Sequence, residues 1–329
     1  MISIEKYNSN LKNIWNKFVK NSNNGTIFQN RDFINYHIDR SFIDNSLVIK
    51  KNGVVVSLLP ATIKVVKNKK ILHSHPGASY GGLVFGFSLS FSTLNEIIKS
   101  LDNYCISSSF HSIILINTPS IYFEQPDESL SYLLQWHKYN VKELYVSHVV
   151  DLRQNDNLFK LLTKRKLRYI NNSSDKNKFE FKLSSNFNAF YDILLETKKK
   201  YNSKPTHSLD ELIKLKELFQ QECLLLTTFV DKKIVGGCLL FFVNKKVSLV
   251  FYNVVCDSFR DSQLSTFQLY NCMKISKKRG ASLVDFGVSH TPEQENPLAP
   301  KLSLIQFKEQ FGSRGVIRTI FKKDFNLGE

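Results

Sequence analysis

The sequence predicts an α/β chain of α+β character with mixed sheets, made of two tandem duplicated domains. Three observations carry this. One order of elements, strand–hairpin–strand, then helix, then strand, occurs twice along 329 residues. Hairpin turns inside each half rule out a purely parallel sheet. Hydrophobic residues make up 42% of the chain, enough to fill two cores of ordinary size.

In the first half SLVIK (46–50) runs to a turn at Lys51-Asn52-Gly53. VVVSLLPATIKVV (54–66), a second turn (67–70) and ILHSH (71–75) follow. In the second half LLLTTFV (224–230) meets Asp231-Lys232-Lys233, then IVGGCLLFFV (234–243), a turn (244–246) and VSLVFYNVV (247–255). Asn-Gly and Asp-Lys-Lys between β-rich runs are hairpin signals. A helix comes next in each half. Thr93 and Glu96 read as a capping box ahead of Leu94, Ile97, Ile98, Leu101, Tyr104 and Cys105 at helical spacing, and Ser265 with Gln268 opens the second helix. HSIILINTP (111–119) and ASLVDFGVS (281–289) are the closing strands. Between the halves, 156–173 reads as one helix, and Ser208-x-x-Glu211 caps another that reaches Phe219. The boundary is expected after Arg153, giving domains 1–153 and 154–329.

The net charge of +16 points to anionic partners: nucleotides, CoA, phosphosugars, tRNA or an acidic membrane surface. The five cysteines lack a CxxC pair and read as reduced thiols. The N-terminal residues lack the apolar core of a secretion signal, and no run approaches the roughly 20 apolar residues of a spanning helix. The expected location is cytoplasmic, the inner face of the membrane included. No helix-turn-helix or zinc pattern points to DNA. His73-x-His75 has metal-like spacing without a third ligand nearby, so no metal is expected.

The most informative stretch is 283–314. A strand ends at Phe286, breaks at Gly287 into a polar loop with Ser289 and His290, crosses three prolines and closes in a helix. Ligand sites in α/β sheets lie past the carboxyl ends of strands. The closing helix sets Leu304, Phe307 and Phe311 on one face, with Lys308 alongside and Gly312 as its stop. Lys308 is either a stem snorkelling to water or a fixed charge aimed into a site.

Six segments in this order, SHPGASYGGLV (74–84), KRKLRYINN (164–172), KPTHSLDEL (204–212), IVGGCLLFF (234–242), VDFGVS (284–289) and SLIQFKEQFG (303–312), resemble the acyltransferases of the GNAT superfamily that carry two tandem domains. They look closest to the FemAB-like proteins associated with bacterial cell-wall and surface-polysaccharide genes. The resemblance implies acyl transfer to an amine. Its donors are acyl-CoA thioesters or aminoacyl-tRNA esters, and its acceptors amino sugars and peptidoglycan precursors.

Such chemistry needs a neutral amine, a stabilised oxyanion and a protonated leaving group. The Phe307-Lys308 dipeptide matches the one whose lysine is thought to stabilise the oxyanion in Fem-type transferases. Asp285 is either the group that positions or deprotonates the amine or a turn-forming residue ahead of Gly287. The resemblance raises His207 from a polar loop residue to a proton-transfer candidate. It raises Tyr252 from a core aromatic to an acid for the leaving thiolate, on a strand opened for the donor's pantetheine arm. Val254, Arg260, Ser262, Gln263, Ser265 and Thr266 are the donor-binding set, although RDSQLSTFQ (260–268) lacks the glycines of a typical GNAT pyrophosphate loop. A capped helix start explains the same residues as well.

His75 and Tyr80 flank a glycine-rich segment that reads as a ligand wall or a tight reversal. Arg165 and Arg168 share one helix side, beside Tyr169, and suit a diphosphate or a solvated face. Lys204, Ser289, His290 and Phe307 complete the acceptor set. The leading expectation is an acetyl-CoA-dependent N-acyltransferase acting on an amino sugar or nucleotide-linked amino sugar, with the donor on the second half. The alternatives are an aminoacyl-tRNA-dependent transferase and a non-catalytic nucleotide-sugar-binding scaffold.

Overall fold

The structure is a computed structural model. It describes every residue except 39, 176–178, 201, 291–297 and 327–329, and side chains other than those of 173–175. The proline-containing loop expected across 291–297 lies outside the described residues. Two compact units emerge, Met1–Leu144 with Ile317–Glu329, and Tyr145–Val316. The C-terminal residues return to the first unit, which a single cut after Arg153 does not represent.

The first unit contains β1 (Ile2–Lys6), α1 (Lys12–Lys20), α2 (Arg31–Ile34), β2 (Ile43–Asp44), β3 (Leu47–Lys51), β4 (Val54–Leu59), β5 (Ala61–Val66), β6 (Lys69–Ser74), β7 (Val84–Phe85), α3 (Phe91–Ser107), β8 (Ser112–Ile116) and α4 (Ser129–Trp136). The run 54–66 is two strands, not one. Pro60 has no N–H to give a ladder, and the chain changes sheet there. Leu59 pairs with Leu47 in one sheet and Ala61 with Ser74 in another. Both hairpins turn through left-handed residues, Asn52-Gly53 and Lys67-Asn68, which matches the twist of the flanking strands. Helix α3 covers the sheet with Leu94, Ile97, Ile98, Leu101 and Cys105, all buried. Its cap is Ser90, whose Oγ accepts from Thr93 N at 3.2 Å. The expected Thr93 box does not form, because Thr93 already lies inside the first turn and Glu96 turns to Lys51.

β9 (Asn140–Asp151) leads into the second unit, followed by α5 (Lys164–Asp175), β10 (Glu180–Leu183), α6 (Phe187–Lys199), α7 (Leu209–Leu218), β11 (Cys223–Val230), β12 (Lys233–Phe242), β13 (Val247–Val255), α8 (Leu264–Lys278), β14 (Leu283–Val288), α9 (Leu302–Glu309) and β15 (Arg314–Asp324). The order in its sheet is β10-β11-β12-β13-β14-β9. Among the described residues, β13 and β14 are its one parallel pair. Residues 156–173 are not one helix. Asn157 caps a short 3-10 turn at Leu158–Leu161, and Thr163 N donates outward to Gln310 O at 3.0 Å before α5 starts. The Ser208–Glu211 box at α7 forms with both of its hydrogen bonds. The core joins Leu224, Leu226, Cys238 and Leu240 to Leu269, Cys272, Met273, Val284 and Phe286. Among the described residues no helix is long and apolar enough to cross a membrane.

Candidate active site

The parallel pair of the second unit is short. β13 and β14 are in register only at Val247–Leu283, Ser248–Val284 and Leu249–Asp285. β13 continues to Val255 and β14 to Val288 without further pairing to each other. Both strands carry an irregularity where they part. In β13, Tyr252 pairs with Leu239 and Val250 with Leu240, so Phe251 is bulged out. In β14 the register against β9 slips between Asp285 and Val288. Gly287 takes φ +74° in that slip, a backbone region that favours glycine. A Cβ there would lie 4.0 Å from the Val250 carbonyl oxygen, so the backbone angle and not crowding calls for glycine.

On the β14 side sit Asp285, Lys308, His148 and Ser289. Asp285 is fully buried and its Oδ1 accepts from Gly287 N at 2.7 Å, which holds the turn. Lys308 is 5% exposed, so it is a fixed charge and no snorkelling stem. Its ammonium donates to the Gly287 and Val288 carbonyls at 2.8 and 2.9 Å. The bulge turns both carbonyls toward one point, and a lysine can reach both because it is a compact donor on a long stem. His148 faces the same group. Burial lowers its pKa, the Lys308 charge lowers it further, and Glu309 and Asp285 oppose. Ser289 Oγ lies 3.5 Å from His148 Nδ1. His290 packs edge-on against Tyr145.

On the β13 side the structure joins two candidates that lie 45 residues apart. His207 Nδ1 is 3.1 Å from Tyr252 Oη, and Thr206 N donates to the same oxygen at 3.1 Å. His207 also packs on Phe251 at the bulge. Burial raises the Tyr252 pKa, so the phenol is held protonated, the state a proton donor requires.

Helix α8 begins beside this strand. Its N-cap, Gln263, stands at φ 59°, so the left-handed turn that a glycine-rich loop would supply is made by glutamine, at a cost of about 1 kcal/mol. Ser265 is therefore inside the first turn and is not the cap. Thr266 Oγ1 accepts from Lys166 Nζ at 2.8 Å and lies 3.3 Å from Gln263 Oε1. Ser262 Oγ donates back to Phe259 O at 2.5 Å, and Arg260 is exposed near Asp257. Val254 is buried in its ladder opposite Gly237.

The remaining candidates lie elsewhere. Arg165 and Arg168 are exposed on α5, their guanidinium carbons 5.8 and 5.7 Å from the Tyr169 ring centroid. Lys204 is exposed ahead of α7. His75 and Tyr80, in the first unit, are each 1% exposed. Burial drives the His75 pKa down to about 3, and its Nδ1 accepts from Gly77 N. Tyr80 donates to the Tyr122 hydroxyl and packs on Phe28, so neither residue forms an accessible wall. His148 and the Phe251 bulge carry no sequence signal of their own, and Lys166 reads only as one charge of a basic helix until its burial is seen.

Solved structures share this architecture. A FemX crystal structure superposes with a TM-score of 0.75 over 98% of each chain at 13% identity. A C-terminal domain of a putative lysylphosphatidylglycerol synthetase from Agrobacterium fabrum gives 0.61 over 97% of this chain and 92% of that one, at 10% identity. A tandem GNAT protein from the clavulanic acid biosynthesis pathway gives 0.56 over 100% and 99%, also at 10%. This chain has a tandem GNAT-like fold. At the level of sequence no family model matches, and no curated protein does either.

Proposed function

We propose that the protein is an N-acyltransferase that takes its acyl group from a CoA thioester and passes it to the amine of an amino sugar or nucleotide-linked amino sugar. The observation that carries this reading is the opening between β13 and β14, with a fixed ammonium on one lip and a tyrosine–histidine pair on the other. A thioester lying along the freed edge of β13 would satisfy backbone groups that β14 leaves unpaired. The incoming amine forms the C–N bond, the carbonyl oxygen gains charge, and the C–S bond then breaks. Lys308 supplies positive charge toward that oxyanion. Tyr252 gives its proton to the departing thiolate, and the proton that the amine loses passes to His207 and from it, across 3.1 Å, back to the phenolate. Asp285 holds the turn at Gly287, whose carbonyl fixes Lys308. The start of α8, with Ser265 and Arg260, faces the donor's phosphates.

A second reading, transfer from an aminoacyl-tRNA, draws support from the +16 charge and from the lack of glycine between Arg260 and Gln268. Calorimetric titration with acetyl-CoA separates the two. A single site with a Kd on the order of micromolar, roughly −8 kcal/mol, is expected for the first. Silence at millimolar acetyl-CoA, together with salt-sensitive binding of an aminoacyl-tRNA, would replace it with the second.

A further inference from the structure

A second buried lysine lies in the same unit as Lys308, and the chemistry above does not use it. Lys166, in the first turn of α5, is 3% exposed. Its ammonium donates to Thr266 Oγ1 at 2.8 Å and sits 4.1 Å over the Phe307 ring and 5.5 Å from that of Phe311. Among the described residues no carboxylate pairs with it. Burying an ammonium without a counter-ion is expensive. The strain appears in its pKa, which burial, and then the charge of Arg165, pull down to about 8. Leucine or methionine would fill the space without that cost, so a charge held there points to a role.

The contacts say which role. Phe307 immediately precedes Lys308. Phe307 meets Phe311 edge-on at 5.5 Å, and Phe311 meets Phe286 the same way at 5.5 Å. Phe286 precedes Gly287, whose carbonyl accepts from Lys308. At the other end, Thr266 belongs to the first turn of α8. A cation over a ring fixes the ring by electrostatics as well as by packing. We propose that Lys166 is a positioning residue, which clamps Phe307, and through it Lys308, to the first turn of α8. This rests on the acyltransferase reading for its chemical purpose. The oxyanion charge and the phosphate-facing helix end then share one rigid frame.

Competitive labelling of lysines with acetic anhydride, read by mass spectrometry on the folded protein, tests the clamp without any substrate. In Lys166→Met, Lys308 is expected to label about fivefold faster than in the wild type, because its local protection loosens. Lys166→Arg keeps the cation and is expected to restore the wild-type rate, with melting temperatures compared in parallel. Unchanged labelling of Lys308 in K166M overturns the proposal, and so does an arginine variant that behaves as the methionine one. If K166M fails to fold, Thr266→Val and Phe307→Leu probe the link from its two ends, and an unmoved Lys308 in both overturns it. Titration with acetyl-CoA runs beside these assays. Binding with unmoved labelling removes the clamp and leaves the transferase reading. A labelling response without binding does the reverse.

Discussion

In the second unit β13 and β14 run together for three residue pairs and then separate, leaving the edge of β13 beyond Leu249 unclaimed by β14. In the first unit β6 and β8 also run parallel for three pairs, Ile71–Ser112 to His73–Ile114. There the chain fills its own gap. Ser74 Oγ accepts from Ile116 N at 2.6 Å, and Gly81 N and Gly82 N both donate to Ile116 O, at 3.0 and 2.8 Å. The glycines are needed for this. A Cβ on Gly81 would stand 2.6 Å from His75 N, and one on Gly82 2.4 Å from Asn117 Oδ1. The same short parallel pairing therefore leaves an open edge in the second unit and a self-satisfied turn in the first.

The largest effect that would sharpen this contrast is on turnover. Lys308→Ala is expected to lower kcat by about a hundredfold or more once the substrates are in hand, as for loss of an oxyanion donor. Retained activity would remove the second unit's opening as the reacting centre. Tyr252→Phe is expected to slow thioester turnover by about a hundredfold with a smaller change in donor affinity, measured as kcat against Kd. Donor stoichiometry breaks the comparison most directly: one acetyl-CoA per chain is expected, and two would mean that the first unit's gap opens after all.

Stability effects follow. His75 titrates at about 3 in the folded protein against roughly 6.5 when unfolded, so the unfolded chain binds the extra proton. Stability is then full above pH 6.5 and falls as pH drops toward 3, by up to about 3 kcal/mol between pH 6.5 and 4. Denaturant unfolding across that window should show a slope that His75→Asn flattens. Gly82→Ala is expected to destabilise the first unit by about 1–3 kcal/mol while leaving donor affinity unchanged. Ser208→Ala, which removes a cap in the second unit, should cost about 1 kcal/mol by the same measurement.

Much of this fold was legible in the sequence because the signals are local. Asn52-Gly53 turns as its types demand, Asp231-Lys232 turns where it was expected, Ser208 caps with Glu211, and Gly312 ends its helix region at φ +77°. The misses came mostly where a distant partner decides. Thr93 and Ser90 are equally good caps by type, but the Glu96 that a Thr93 box needs faces Lys51, and Ser90 caps instead. The stretch 156–173 is helical by pattern, yet Thr163 N is drawn to Gln310. The glycine-rich segment around Tyr80 reads as a ligand wall until Ile116, far along the chain, claims its N–H groups. The site shows the same division. Asp285 stood out at the end of a strand and Lys308 by the Phe307-Lys308 dipeptide on the closing helix, whereas the 3.1 Å contact between His207 and Tyr252 is a product of tertiary structure.

The last strand has a consequence for how the chain is made. Residues Ile320–Asp324 of β15 pair with Ile116–Ser112 of β8, and Phe321 and Phe325 sit in the first unit's core. A ribosome delivers that strand only after the whole of Tyr145–Val316. The first unit therefore cannot complete its sheet until the second has been synthesised, and its edge at β8 waits unpaired in the meantime. A gene fragment ending near residue 144 would yield a unit short of one strand, with an unpaired apolar edge and a tendency to aggregate.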